Sequence, residues 1–129
     1  LLGRYYVRGS VDVRTVSALY DAAAIIISRA GSTTLFEIAL HGKPAIVIPI
    51  PEEVSHDQRT NAYAYARTGA ASVLEEGNLT DGLLSAEINR IMGDQAVYTT
   101  MANAATAFAR TDAAAVIART LLEIADEHV

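Results

Sequence analysis

Residues 24–40, AIIISRAGSTTLFEIAL, join three successive isoleucines to a glycine, three hydroxyl residues and a run with helical apolar spacing. The β-branched isoleucines favour a strand, and the spacing that follows favours an amphipathic helix. The turn between them contains Gly31, Ser32, Thr33 and Thr34. The first N–H groups of a helix have no internal partner and carry the positive end of the helix dipole, so this turn suits an anion, and a diphosphate in particular.

A second polar segment, residues 56–61 with the sequence HDQRTN, follows the next predicted strand. Asp57 and Gln58, together with Glu37 of the first segment, are suited to holding sugar hydroxyls, because carboxylates and carboxamides accept hydrogen bonds in a fixed geometry. The carboxyl ends of neighbouring parallel strands lie at one edge of a sheet. Convergence of the two segments therefore predicts a nucleotide-sugar site.

Each motif also has a structural interpretation. A glycine at such a turn can supply a positive φ or a close approach of the backbone. The pairs Thr34 with Glu37 and Ser55 with Gln58 both match a capping box, in which each side chain satisfies the other residue's backbone N–H. For Arg29 we favour an ion pair over a phosphate contact, and Tyr63 and Tyr65 are expected to pack rather than to stack on a base.

The apolar patterns alternate along the chain and predict an open parallel α/β sheet with flanking helices. Strands are predicted at residues 5–7, 24–27, 45–48 and 71–74. Helices are predicted at residues 13–20, 34–40, 56–68, 80–92, 95–109 and 111–126, with Gly42 ending the second and Thr80 capping the fourth. The last helix carries Val116, Ile117, Leu121 and Ile124 in register.

The composition of the chain argues against several classes of function. The chain has 129 residues, of which 51% are hydrophobic, and this indicates one folded domain. A formal net charge of −5 argues against nucleic-acid binding. The absence of cysteine excludes disulfides and thiol chemistry, and no histidine pair has metal-ligand spacing, so neither a metal nor a cofactor is expected. No apolar run approaches the roughly 20 residues that cross a bilayer.

The two motifs, with residues 42–49 (GKPAIVIP) and 68–71 (TGAA), resemble the C-terminal domain of GT-B glycosyltransferases, and within that group the MurG type of glycosyltransferase family 28. The resemblance spans residues 5–125. It implies a Rossmann-like domain that binds UDP-N-acetylglucosamine. The turn residues Gly31, Ser32, Thr33 and Thr34 would face the diphosphate and sugar, Glu37 the ribose, Asp57 and Gln58 the sugar hydroxyls, and Asn61 would support that loop.

The resemblance further implies a hexosyltransferase of cell-wall (peptidoglycan) synthesis with a lipid-linked acceptor. The acceptor domain and its catalytic base have no counterpart here, so we expect no catalytic residues and an inactive chain on its own. Because the chain opens without methionine, we expect one donor-binding domain over residues 1–129, truncated at its N-terminus. The full protein is expected in the cytoplasm, with peripheral association at the inner face of the plasma membrane left open.

One departure from the family pattern bears on the donor. The MurG type often has two glutamines where Asp57 and Gln58 stand, so the exact sugar stays open. Three alternatives also stay open: a noncatalytic donor-binding subunit of a two-chain sugar transferase, a GT-B transferase with a small-molecule acceptor, and a nucleotide-sugar epimerase of the same fold.

Overall fold

The computed structural model describes residues 2–128, so Leu1 and Val129, the ends of the predicted domain, lie outside it. Three parallel strands form a sheet of order β1-β2-β3, comprising β1 (Ile26–Ser28), β2 (Ala45–Val47) and β3 (Ala71–Val73). Ile27 pairs with Ile46, and Ile46 pairs with Ser72. The predicted open parallel α/β sheet of Rossmann-like type is confirmed, with strand bounds that shift by one or two residues.

The described residues form six α-helices: α1 (Val13–Ala22), α2 (Ser32–Leu40), α3 (His56–Ala66), α4 (Asp81–Gly93), α5 (Gln95–Phe108) and α6 (Ala113–Glu127). Short 3-10 helices occupy Leu2–Arg4 and Glu76–Asn78. Side-chain caps fix several starts: Asp12 accepts from the Thr15 N–H at 2.8 Å, and Thr80 accepts from the Leu83 N–H at 3.1 Å. The predicted threonine cap is therefore confirmed.

Burial on both faces of the central strand organises the core. Ile46 packs on one face with Ile91 and Met101, whereas Ala45 and Val47 belong to a cluster on the other face. This alternation follows from the two-residue period of a strand. The second cluster includes Tyr65, which is fully buried and lies edge-on to Phe108 with 5.0 Å between ring centroids. Tyr65 packs as predicted, whereas Tyr63 is 39% exposed and donates from Oη to Glu75.

The strand predicted at residues 5–7 is wrong. Tyr5, Tyr6 and Val7 form no strand, and their exposed fractions are 75%, 76% and 68%. Aromatic and β-branched residues favour strands because they pack on a pleated, half-buried surface. Among the described residues the sheet pairs only β1, β2 and β3, so this segment has no neighbouring strand to pack on.

The apolar stripe of α6 is exposed. Ile117 and Leu121 are more than half exposed, and every residue of the helix is exposed.

Within residues 2–128, none of the helices combines the length and the apolar character that crossing a bilayer requires.

Gly42 ends α2 as predicted, and its backbone requires glycine. Its φ is +61°, and an added Cβ would lie 2.8 Å from the Thr106 Oγ1 of α5. The left-handed conformation costs a residue with a Cβ about 1–2 kcal/mol, and the contact adds strain. We expect Gly42→Ala to lower the free energy of unfolding by about 1–3 kcal/mol in urea denaturation.

Gly82→Ala is the matched control. Gly82 lies in α4, and its added Cβ would meet nothing within 4 Å. Alanine is the better helix former, so this variant should be as stable as the parent or more so. Equal stability of the two variants would contradict the role given to Gly42.

Candidate donor-binding site

The turn between β1 and α2 presents unpaired amides at the carboxyl edge of the sheet. Gly31 is the N-cap of α2 and accepts the Leu35 N–H at 3.0 Å, which begins the helix. Among the described residues no side chain caps this end, so the predicted box between Thr34 and Glu37 does not form. Ser32 and Thr33 are exposed. The first-turn N–H groups are therefore open to an anion.

Gly31 is not required for a strained backbone. Its φ is −63°, and an added Cβ would meet only Thr34 Oγ1, at an ordinary 3.8 Å. The interpretation of this glycine as a source of positive φ is therefore wrong. Because Gly31 has no side chain, the space in front of the N-terminus of α2 stays open.

Gln58 joins α3 to this turn. Its Oε1 accepts from the Ala30 N–H at 3.1 Å and from the Ile50 N–H at 3.1 Å. Asn61, one turn further along the same face of α3, donates from Nδ2 to the Ala30 carbonyl at 3.2 Å. Ala30 is fully buried, and buried backbone groups require partners. Gln58 and Asn61 therefore satisfy both polar groups of Ala30.

The second capping box is also absent. Ser55 is the N-cap of α3, but in the described part of the chain no side chain bonds at that position. Gln58 instead accepts from two other segments, one of which lies 28 residues away in sequence. The Nε2 donors of Gln58 remain beside the turn, and Asp57 is exposed in the first turn of α3. The structure thus brings Gln58, Asn61 and the turn together.

Glu37 lies on a different side of α2. It lines a cleft of about 250 Å³ between α1 and α2, here called the α1–α2 cleft, whose other walls are Val11, Val13, Val16, Ser17, Tyr20, Leu40 and His41. Burial and, secondly, the Glu37 carboxylate raise the pKa of Tyr20. Glu37 therefore lines the α1–α2 cleft, whose walls do not include Asp57 or Gln58.

His41 closes one wall of the α1–α2 cleft. Its Nδ1 lies 2.6 Å from Asp21 Oδ1, and its Nε2 lies 3.5 Å from Ser17 Oγ. Lys43 Nζ donates to the Asp21 carbonyl at 2.9 Å. These contacts join α1 to the end of α2 and so hold the two walls of the cleft together.

A second cleft, of about 590 Å³, lies beyond the ends of β2 and β3. We call it the strand-end cleft; its walls are Pro49, Pro51, Glu52, Glu53, Arg59, Tyr63, Glu75, Glu76, Gly77 and Asn78. Glu75 accepts from Tyr63 Oη at 2.7 Å and from Arg59 Nε at 3.0 Å. The Tyr63 hydrogen bond, followed by that of Arg59, lowers the pKa of the Glu75 carboxyl.

No sequence pattern predicted a role for Arg59, Glu75 or Glu76. The signal available was two adjacent glutamates directly after a predicted parallel strand, since ligands of such sheets lie beyond the carboxyl ends of the strands. The predicted ion pair of Arg29 is confirmed: its guanidinium pairs with Glu76.

Gln58 can be tested separately as a support of the fold. Gln58→Leu leaves two amides without their acceptor, and each buried orphan costs about 1–3 kcal/mol, so we expect a loss of about 2–4 kcal/mol in the free energy of unfolding. Gln58→Glu keeps an acceptor at the same place and should remain within about 1 kcal/mol of the parent. Denaturant unfolding measures both. Equal losses in the two variants would argue against the role of Oε1.

An anion-binding helix terminus beside hydroxyl-binding side chains, both at the carboxyl edge of a parallel sheet, defines a nucleotide-binding α/β domain. Residues 10–117 match the model of the glycosyltransferase family 28 C-terminal domain. The chain therefore belongs to glycosyltransferase family 28, and the resemblance seen in the sequence is confirmed.

Relatives agree with this assignment. The chain is 40% identical, over 97% of its length, to the UDP-N-acetylglucosamine--N-acetylmuramyl-(pentapeptide) pyrophosphoryl-undecaprenol N-acetylglucosamine transferase of Sorangium cellulosum, and covers 30% of that protein. It is 36% identical to the transferase of the same name from Listeria monocytogenes, over 82% of this chain and 29% of that protein. The chain thus spans about 30% of the length of these relatives.

Solved structures give the same fold. The crystal structure of Acinetobacter baumannii MurG matches with a TM-score of 0.72 and 29% identity, over 82% of this chain and 30% of that one. The spinosyn forosaminyltransferase SpnP matches with a TM-score of 0.58 and 22% identity, over 70% of this chain and 21% of that one. The second match supports the fold alone.

Proposed function

We propose that residues 1–129 form the donor-binding domain of a glycosyltransferase that transfers N-acetylglucosamine from UDP-N-acetylglucosamine to a lipid-linked acceptor in peptidoglycan synthesis. The observation that carries the proposal is the contact of Gln58 and Asn61 with Ala30, because it joins the two polar segments into one site. Membership of family 28 and the names of the relatives support the choice of donor and acceptor.

The diphosphate would occupy the N-terminus of α2. Gly31 leaves room for a close approach, and the amides of Ser32, Thr33 and Thr34 point from the first turn with the positive end of the helix dipole. Negative charge grows on the departing diphosphate as the sugar is transferred. Fixed donors at that position stabilise the charge without having to reorganise.

The nucleoside would lie toward Glu37 and the α1–α2 cleft. Glu37 follows Ser32 by five residues, which places it about 7.5 Å further along the helix axis. Its carboxylate can accept from two neighbouring ribose hydroxyls. The apolar walls formed by Val11, Val16 and Leu40 then suit the flat face of a base.

The hexose would lie on the opposite side of the turn, against α3. Gln58 Oε1 is engaged by two backbone amides, so its Nε2 is the group that can donate to a sugar oxygen. Asp57 is exposed beside it and can accept from sugar hydroxyls. The donor would therefore extend from the α1–α2 cleft, across the helix terminus, to the start of α3.

The acceptor and the base that deprotonates it would come from the part of the protein that the relatives have beyond this domain. An acceptor carried on a lipid lies in a membrane, so the full protein would work at the inner face of the plasma membrane. We expect donor binding from residues 1–129 and transfer only from the longer protein.

Glu37→Ala tests the nucleoside end. Loss of a charged acceptor for two ribose hydroxyls should weaken UDP binding about tenfold or more in isothermal titration. Glu123→Ala, which removes an exposed glutamate of α6, is the matched control and should leave the affinity unchanged. Titration of the parent with UDP and with UDP-N-acetylglucosamine is measured alongside. Unchanged affinity in Glu37→Ala would refute the assignment of this residue.

Gly31→Ala tests the diphosphate position. The backbone accepts alanine here, so the free energy of unfolding should change by no more than about 1 kcal/mol. The added methyl group would occupy the space in front of the open amides, and UDP affinity should fall by about tenfold or more. Thermal unfolding and titration on the same sample measure both effects. Tight UDP binding by a well-folded Gly31→Ala variant would place the diphosphate elsewhere.

A further inference from the structure

Arg29 connects the ends of all three strands. It follows β1 directly, and its Nη1 donates to the carbonyls of Ile48 at 3.3 Å and Pro49 at 3.5 Å, which follow β2. The same group pairs with Glu76, which follows β3. All three contacts come from Nη1, so the two N–H bonds of that group are shared among the three acceptors.

One peptide group is held from both sides. The Pro49 carbonyl accepts from Arg29, while the N–H of the same peptide, on Ile50, donates to Gln58 Oε1. Gln58 Oε1 also accepts from the Ala30 N–H, which belongs to the residue after Arg29. These bonds close a ring that runs from the Arg29 side chain through the Pro49–Ile50 peptide and Gln58 back to Ala30.

From this ring we propose that Arg29 is a positioning residue for the sugar end of the donor site, an inference that rests on the proposed function. By holding the Pro49 carbonyl, Arg29 keeps the Ile50 N–H directed at Gln58. The two amides in turn fix the carboxamide so that Nε2 faces the hexose. Without Arg29 the Pro49–Ile50 peptide can rotate, and the carboxamide loses one of its two anchors.

The exposure of the pair argues against a role in stability alone. The Arg29 side chain is 51% exposed and that of Glu76 is 43% exposed. Ion pairs at such exposure contribute little to folding because water screens them. The proposed diphosphate contacts of α2 and the proposed ribose contact of Glu37 would lie outside the ring. Loss of Arg29 should therefore act selectively on the sugar.

Arg29→Met tests the inference by comparing two ligands. We expect UDP affinity to stay within about twofold of the parent while the affinity for UDP-N-acetylglucosamine falls about tenfold, a change of about 1.4 kcal/mol. Arg29→Lys should recover part of the loss, since an ammonium can still reach a carbonyl. Glu76→Gln leaves the carbonyl contacts in place and should keep the sugar affinity. Equal weakening of both ligands by Arg29→Met, or no weakening, would overturn the inference.

Arg90→Met is the matched control, because Arg90 makes a comparable pair with Glu87 at 2.6 Å, within α4. It should change neither affinity. A readout without ligand separates this inference from the proposed function: amide NMR signals of Ala30 and Ile50 should shift and exchange faster in Arg29→Met but not in Arg90→Met. If the parent binds no UDP, the proposed function fails. If the two amide signals are unaffected, the positioning role fails.

Discussion

The geometry of the candidate site depends on the hydrogen bonds made by the backbone of one buried residue, Ala30. Ala30 has no exposed surface, lies beyond the last paired residue of β1 and must find hydrogen-bond partners outside the sheet. Gln58 and Asn61 supply an acceptor and a donor from one face of α3. Because these partners come from α3, the start of that helix is held against the start of α2. A site made from both helix starts exists only as long as these bonds do.

The same constraint explains why polar side chains at this edge are not interchangeable. Gln58 Oε1 accepts from two backbone amides, and in the proposed site Nε2 donates to the ligand. A carboxamide provides both the acceptor and the donor that this position uses. Asp57, one residue earlier, is exposed and is given no role in supporting the backbone. Position 57 is therefore less constrained by the fold than position 58.

The proposed donor would contact three parts of the domain, and each part would bind it by a different kind of interaction. The α1–α2 cleft is largely apolar and offers burial to a base, the α2 terminus offers amides and a dipole to phosphates, and the start of α3 offers hydrogen bonds to a sugar. The first two parts share α2 and the third uses α3, and the short parallel sheet aligns these helices. Arg59, the residue after Gln58, lines the strand-end cleft, where Glu75 accepts from Arg59 and Tyr63.

Local sequence was enough to predict the alternation of strands and helices, the polar turn after β1 and the end of α2 at Gly42, because periodicity, caps and glycine conformations involve neighbours within a few residues. It also pointed to the residues of the candidate site. It failed at residues 5–7, where strand propensity had no partner strand. The two capping boxes, which were the structural alternatives to a ligand role, do not form. The partners of Gln58 and Arg29 were decided by the tertiary structure alone. Ala30 and Pro49 reach those side chains only after the parallel strands place their carboxyl ends together, and no local pattern records which distant amide or carbonyl will be left unpaired there.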